Sequence, residues 1–73
     1  MSNKNDILKL TGIVKKCLPG AKFIVHVNDT ELEVNCSLSG KLRQNKIRIG
    51  ENDKVDIEVS IYDLKIGRIV WRY

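Results

Sequence analysis

Lys41, Arg43, Lys46 and Arg48 fall within eight consecutive residues that hold no acid, and Lys65, Arg68 and Arg72 lie in a second acid-free stretch, 64–73. Ammonium and guanidinium groups clustered without carboxylates are the chemistry of polyanion recognition, because each can pair with a phosphate and release a condensed counterion. Any one of these side chains alone would be an ordinary solvated cation. Together they divide the formal net charge of +4 into +7 over the two stretches and −3 over the rest, where six cations face nine acids. The chain is polarised rather than uniformly basic, and a nucleic acid is the polyanion that such a field fits best.

Other chemistries lack their parts. Cys17 and Cys36 stand 19 positions apart with no CxxC, and His26 is the single histidine, so no zinc-ligand set and no metal site can be assembled. His26 and the Glu31/Glu33 pair lie on outer strand faces with nothing to make them acid–base groups. Cys36 shares the phase of Leu32 and Val34, as a packed thiol would, and both cysteines are read as reduced. There is no phosphate-binding glycine loop, no HExxH and no serine elbow. Catalysis and a cofactor are therefore not expected.

The elements that must carry the cations are strands. Segments 8–14, 23–27, 32–36 and 55–61 alternate apolar and polar residues with period two, and 68–72 makes a shorter fifth. Phe23, Val25 and Val27 share one face, as do Val55, Ile57, Val59 and Ile61; in the fifth strand Ile69 and Trp71 are placed inward. Leu18-Pro19-Gly20 and Asn28-Asp29-Thr30 supply turn chemistry between strands. Gly12 inside the first strand marks a bulge or a barrel corner that would let this strand serve two sheets. Ser39 is a suitable N-cap for one or two helical turns within 38–49. Strand, strand, strand, short helix, strand, strand is the order of an all-β OB-fold, a five-stranded Greek-key barrel with a short helix between strands 3 and 4. An SH3-like barrel is the alternative. Residues 1–6 read as a loose polar tail ahead of a single domain, 7–73. The longest apolar runs are three residues, far below the roughly 20 that span a bilayer, so no membrane association is expected.

In this barrel the segment joining strands 3 and 4 and the loop joining strands 4 and 5 are expected to approach one end, merging both basic stretches into one field. Only four aromatics are present, Phe23, Tyr62, Trp71 and Tyr73. Of these, Tyr62 at a strand-to-loop junction is the one candidate stacking ring. Few aromatics beside many cations suit a structured RNA read through backbone and shape better than a loose single strand.

The blocks Leu18-Pro19 with Phe23, Ser39-Gly40-Lys41-Leu42-Arg43 with Asn45 and Ile47-Arg48-Ile49, Asp53-Lys54-Val55, and Tyr62-Asp63-Leu64 with Gly67-Arg68-Ile69-Val70 resemble bacterial-type translation initiation factor one. The resemblance runs over nearly the whole chain, in spacing as well as in content. It implies an OB-fold protein without enzymatic activity that binds the A site of the small ribosomal subunit, against decoding-centre rRNA and the neighbouring ribosomal protein. There it would block premature tRNA entry and assist the other initiation factors, as a monomer in the cytoplasm, or in the plastid stroma if organelle-encoded. The rRNA-facing residues it implies are Lys41, Arg43, Lys46, Arg48, Tyr62, Lys65, Arg68 and Arg72. Ser37 stands where that family commonly has a histidine, and Gln44 and Lys46 where it has a basic residue and an aromatic. Two other readings of the same features are a cold-shock-type single-strand chaperone and a protein-interaction module with a basic end.

Overall fold

A computed structural model describes residues 6–73. Its elements are β1 (Ile7–Leu18), β2 (Lys22–Val27), β3 (Glu33–Leu38), α1 (Gly40–Gln44), β4 (Lys54–Ser60) and β5 (Asp63–Arg72). The strands close into a barrel in the order β1-β2-β3-β5-β4. All pairings are antiparallel except β3 with β5, which is parallel. This is the OB-fold barrel expected from the order of elements, with the short helix between β3 and β4. Residues 1–5 of the expected tail lie outside the described residues; the carbonyl of Asp6 accepts from the Ile61 N–H at 2.9 Å.

Closure depends on β1 belonging to both halves of the barrel. Its first half pairs with β4, its second with β2, and Gly12 is opposite both Val55 and Val27. A Cβ at Gly12 would overlap the His26 carbonyl oxygen and lie 2.9 Å from Val25 Cγ1, so β2 comes this close to β1 only because Gly12 has no side chain. The bulge itself falls three residues later, at Lys15, between the pairs Val14↔Val25 and Lys16↔Ile24. It bends the strand onward, which is why β1 runs to Leu18 rather than stopping at 14.

Alternation buries Val14, Phe23, Val25, Val27, Val34, Cys36, Val55, Ile57, Val59 and Ile69 inside, and Leu42 of α1 closes one mouth. Burial pushes the Cys36 thiol up to about 12, by desolvation of the thiolate. Both thiols are free. Cys17 pairs with Phe23 and Phe23 with Cys36, so the two cysteines sit two strand spacings apart, roughly 10 Å, too far for a disulfide.

Two inward assignments are corrected. β4 ends at Ser60 and the chain turns at 61–62, leaving Ile61 42% exposed at the rim. Trp71 is 55% exposed, because β5 bulges at Val70: Ile69 pairs with Ile57, but Trp71 pairs with Asp56. One extra residue inverts the phase of everything after it. Trp71 therefore turns outward, and Arg72, opposite inward-facing Val55, is carried to the barrel mouth. No helix among the described residues is long and apolar enough to cross a membrane.

Candidate nucleic-acid interface

The segment from Ser39 to Asp53 spans the mouth where β3 ends and β4 begins, and its local chemistry aims the cations outward. Ser39 Oγ accepts from the Leu42 N–H at 3.4 Å, capping α1. Leu42 is 3% exposed and anchors the helix, which leaves Lys41 and Arg43 on its solvent side. The helix ends in a Schellman arrangement: the Ile47 N–H donates to the Leu42 carbonyl at 3.1 Å and the Lys46 N–H to the Arg43 carbonyl at 3.2 Å. Lys46 holds the left-handed position of that motif, with φ 55°. Beyond it, half-buried Ile47 and Ile49 pack on the core and alternate with exposed Arg48.

A turn then reverses the chain. Asp53 Oδ2 accepts from the Gly50 N–H at 2.7 Å, and the turn is tied to β1 by Val14 N–H to Asp53 carbonyl and Asn52 N–H to Val14 carbonyl. Asp53, one of the two acids nearest the cluster in sequence, is thus occupied by its own turn. Arg72 arrives at the same mouth from β5, and its Nη1 donates to the Arg48 carbonyl at 2.9 Å. Lys41, Arg43, Lys46, Arg48 and Arg72 therefore share one end of the barrel.

The other three candidates do not join them. The β4–β5 turn carrying Tyr62 lies at the far end of β4, whose seven residues extend roughly 20 Å. Tyr62 is 77% exposed there. Lys65 lines a cleft with Ile24, Glu31, Leu32, Glu33 and Asn35. Arg68 lies on the outer wall opposite Glu58, with its Nη2 3.0 Å and its Nε 3.3 Å from Glu58 Oε1. The expected single field is thus corrected to a basic mouth of five cations. Stretch 64–73 has no acid in sequence, but cross-strand pairing sets Glu58 of β4 against Arg68, and Lys65 shares its cleft with Glu31 and Glu33.

Sequence reasoning missed a third basic element. Between Asp6 and Asp29 there is no acid, yet Lys9, Lys15, Lys16 and Lys22 lie there; the criterion applied to the other stretches would have selected this one. β1 ends and β2 begins on the side of the basic mouth, and Cys17 Sγ lies 3.8 Å from the Ile49 carbonyl oxygen. The hairpin thus places Lys15, Lys16 and Lys22 at the border of that mouth. Lys22 also lines an open groove of about 370 Å³ with Leu18, Pro19, Asn35, Ser37, Ile66 and Gly67. Among the described residues no group of His, Cys, Asp or Glu is placed to hold a metal ion.

No family model matches the chain. Translation initiation factor IF-1 of Oenococcus oeni is 41% identical over 69 residues, 94% of each chain. The solution structure of the initiation factor of the same name from the Wolbachia endosymbiont of Brugia malayi superposes with a TM-score of 0.76 at 43% identity, over 93% of this chain and 79% of that one. YjeQ from Thermotoga maritima shares the barrel, with a TM-score of 0.72 at 24% identity over 90% of this chain and 23% of its own. So does YloQ, a circularly permuted GTPase, at 0.75 and 17% over all of this chain and 25% of its own. The last two establish likeness of fold alone.

Proposed function

Because the chain belongs to the translation initiation factor IF-1 family, we propose that it seats its basic mouth on rRNA in the A site of the small ribosomal subunit. It is an initiation factor with a ribosome-associated role, and not an enzyme. The observation that carries the finer reading is the gathering of Lys41, Arg43, Lys46, Arg48 and Arg72 at one mouth, with the β1–β2 lysines beside it. Two of the five reach the site by different routes, Arg48 along an extended segment and Arg72 through a strand bulge, and they meet at one hydrogen bond.

The mechanism that follows is occupancy. Cations on a small, pre-folded plug neutralise phosphates, release counterions and fix orientation, while shape decides which RNA surface is covered. A molecule seated in the A site excludes tRNA by volume, and its exposed walls remain free to contact the neighbouring ribosomal protein and the other initiation factors. A cold-shock-type stacking platform is disfavoured by the placement of the rings: Phe23 is buried, Tyr62 lies at one end of the barrel, and Trp71 and Tyr73 lie near the other.

Titration of labelled protein onto purified small subunits at several salt concentrations tests this reading. One-to-one saturation is expected, with log affinity falling against log salt at a slope of about −4 for five phosphate contacts. rRNA bases protected by the bound protein should map to the decoding centre. Equal binding to large subunits, or protection elsewhere, would overturn it.

A further inference from the structure

The last side chain that β5 buries fully is Ile69; Val70 is half-buried, and Trp71, Arg72 and Tyr73 are exposed. Apolar burial therefore holds little of the strand beyond its bulge, and a strand end kept only by ladder hydrogen bonds frays. This end has a second tie. The Tyr73 N–H donates to the Lys54 carbonyl at 3.0 Å, and the Tyr73 hydroxyl donates to Asp56 Oδ2 at 2.8 Å. Thr11 Oγ1 donates to the other Asp56 oxygen at 2.6 Å, and Lys54 Nζ sits 4.9 Å from the Tyr73 ring centroid. One carboxylate thus joins three neighbouring strands: β1 through Thr11, β4 through Asp56 itself and β5 through Tyr73.

Between the bulge and this tie stands Arg72, opposite Val55. Its Nη1 donates to the Arg48 carbonyl at 2.9 Å, and its other guanidinium N–H groups make no hydrogen bond among the described residues. A guanidinium tied at one nitrogen and open at the rest is a phosphate donor whose direction is set in advance. That direction depends on the backbone to either side, and Asp56 acts on both: it pairs with Trp71 in the ladder, and its carboxylate holds Tyr73. We propose that Thr11, Asp56 and Tyr73 are positioning residues for RNA binding, which hold the end of β5 so that Arg72 meets a phosphate already ordered. This rests on the rRNA-binding reading proposed above. The effect is entropic, since a long side chain on a fixed backbone loses less freedom on docking than one on a frayed end. None of the three needs to touch RNA.

A double-mutant cycle on small-subunit affinity, read against salt, tests it. Arg72→Gln should weaken binding and make the log–log slope shallower by about 0.7–0.9, the share of one phosphate contact. Tyr73→Phe removes the hydroxyl but keeps the ring and the Arg72 charge; it should weaken binding about three- to tenfold, from ordering one long side chain at docking, with the slope unchanged. In the Arg72→Gln background the same substitution should change affinity by less than about twofold. Asp56→Ala should behave as Tyr73→Phe does, and Asp56→Asn, which keeps an acceptor, should bind as the parent does. Amide hydrogen exchange at position 73 should quicken in Tyr73→Phe and Asp56→Ala while that of Ile57 stays slow. Parent-like binding by Tyr73→Phe, Asp56→Ala or Arg72→Gln, or a Tyr73→Phe loss that persists undiminished without Arg72, overturns the inference and leaves the RNA-binding reading to the other four cations. A parent protein that does not bind small subunits overturns both.

Discussion

Lys46 occupies a backbone position that favours glycine, and this sets stability against binding at one residue. Its φ of 55° places a side chain in the left-handed region, where a Cβ costs about 1–2 kcal/mol relative to ordinary helix. Lys46→Gly removes that strain and returns about 0.5–1 kcal/mol through the greater freedom of glycine in the unfolded chain. The net expectation is a gain of about 0.5–1 kcal/mol. For a domain of this size that is a rise in melting temperature of about 4 °C. Lys46→Ala is the control, because it deletes the same charge and keeps the Cβ; the glycine variant should melt above it by a similar margin. Thermal melting followed by circular dichroism measures the first half. Small-subunit affinity against salt measures the second: both variants should bind more weakly, with the log–log slope shallower by about 0.7–0.9. Equal melting of the two variants would refute the strain, and an unchanged slope would show that Lys46 meets no phosphate.

Arg43→Glu combined with Arg48→Glu should abolish small-subunit binding while moving the melting temperature by no more than about 1–2 °C, roughly what exposed charges contribute; a large loss of stability would assign the arginines a structural role. Gly12→Ala should destabilise by about 2–3 kcal/mol in denaturant unfolding, since its Cβ would overlap backbone at the point where β2 and β4 meet β1. Native protein should react with a thiol reagent rapidly at exposed Cys17 only, Cys36 following on unfolding. The Cys36 thiol is raised from 9.0 to about 12, so its contribution to stability is fully present below pH 9. It is lost as pH rises from 9 to about 12, where the unfolded thiol ionises and the folded one does not; Cys36→Ala should flatten that part of the stability–pH curve. Asp56→Asn should lower the titration midpoint of Tyr73, which lies above the ordinary tyrosine range chiefly because its hydroxyl donates to the Asp56 carboxylate. Absorbance against pH in the variant and the parent would show it.

The fold was legible because the alternation that buries Phe23, Val25 and Val27, or Val55, Ile57 and Val59, is a local property of each strand. Ser39 as helix cap and Gly12 as the point where two sheets share a strand were legible for the same reason: a hydroxyl acceptor and a missing Cβ have few other uses in those contexts. The candidate site was legible in half. Lys41, Arg43, Lys46 and Arg48 lie on one continuous segment, so proximity in sequence is proximity in space. The C-terminal cations are spread along a strand of ten residues, and a strand carries its residues apart.

Sequence alone determined that this chain forms a five-stranded barrel with a short helical plug, and that cations are segregated from acids along it, because period, turn residues and charge order are written residue by residue. Tertiary structure alone decided which of those cations remain uncompensated. Register sets Glu58 against Arg68, the start of β3 and the residues before it place Glu33 and Glu31 in the cleft of Lys65, and the bulge at Val70 delivers Arg72 to the Arg48 carbonyl while turning Trp71 out. Neither a bulge nor a pairing register can be read from one strand, since each is a relation between two strands, settled by how the whole barrel closes.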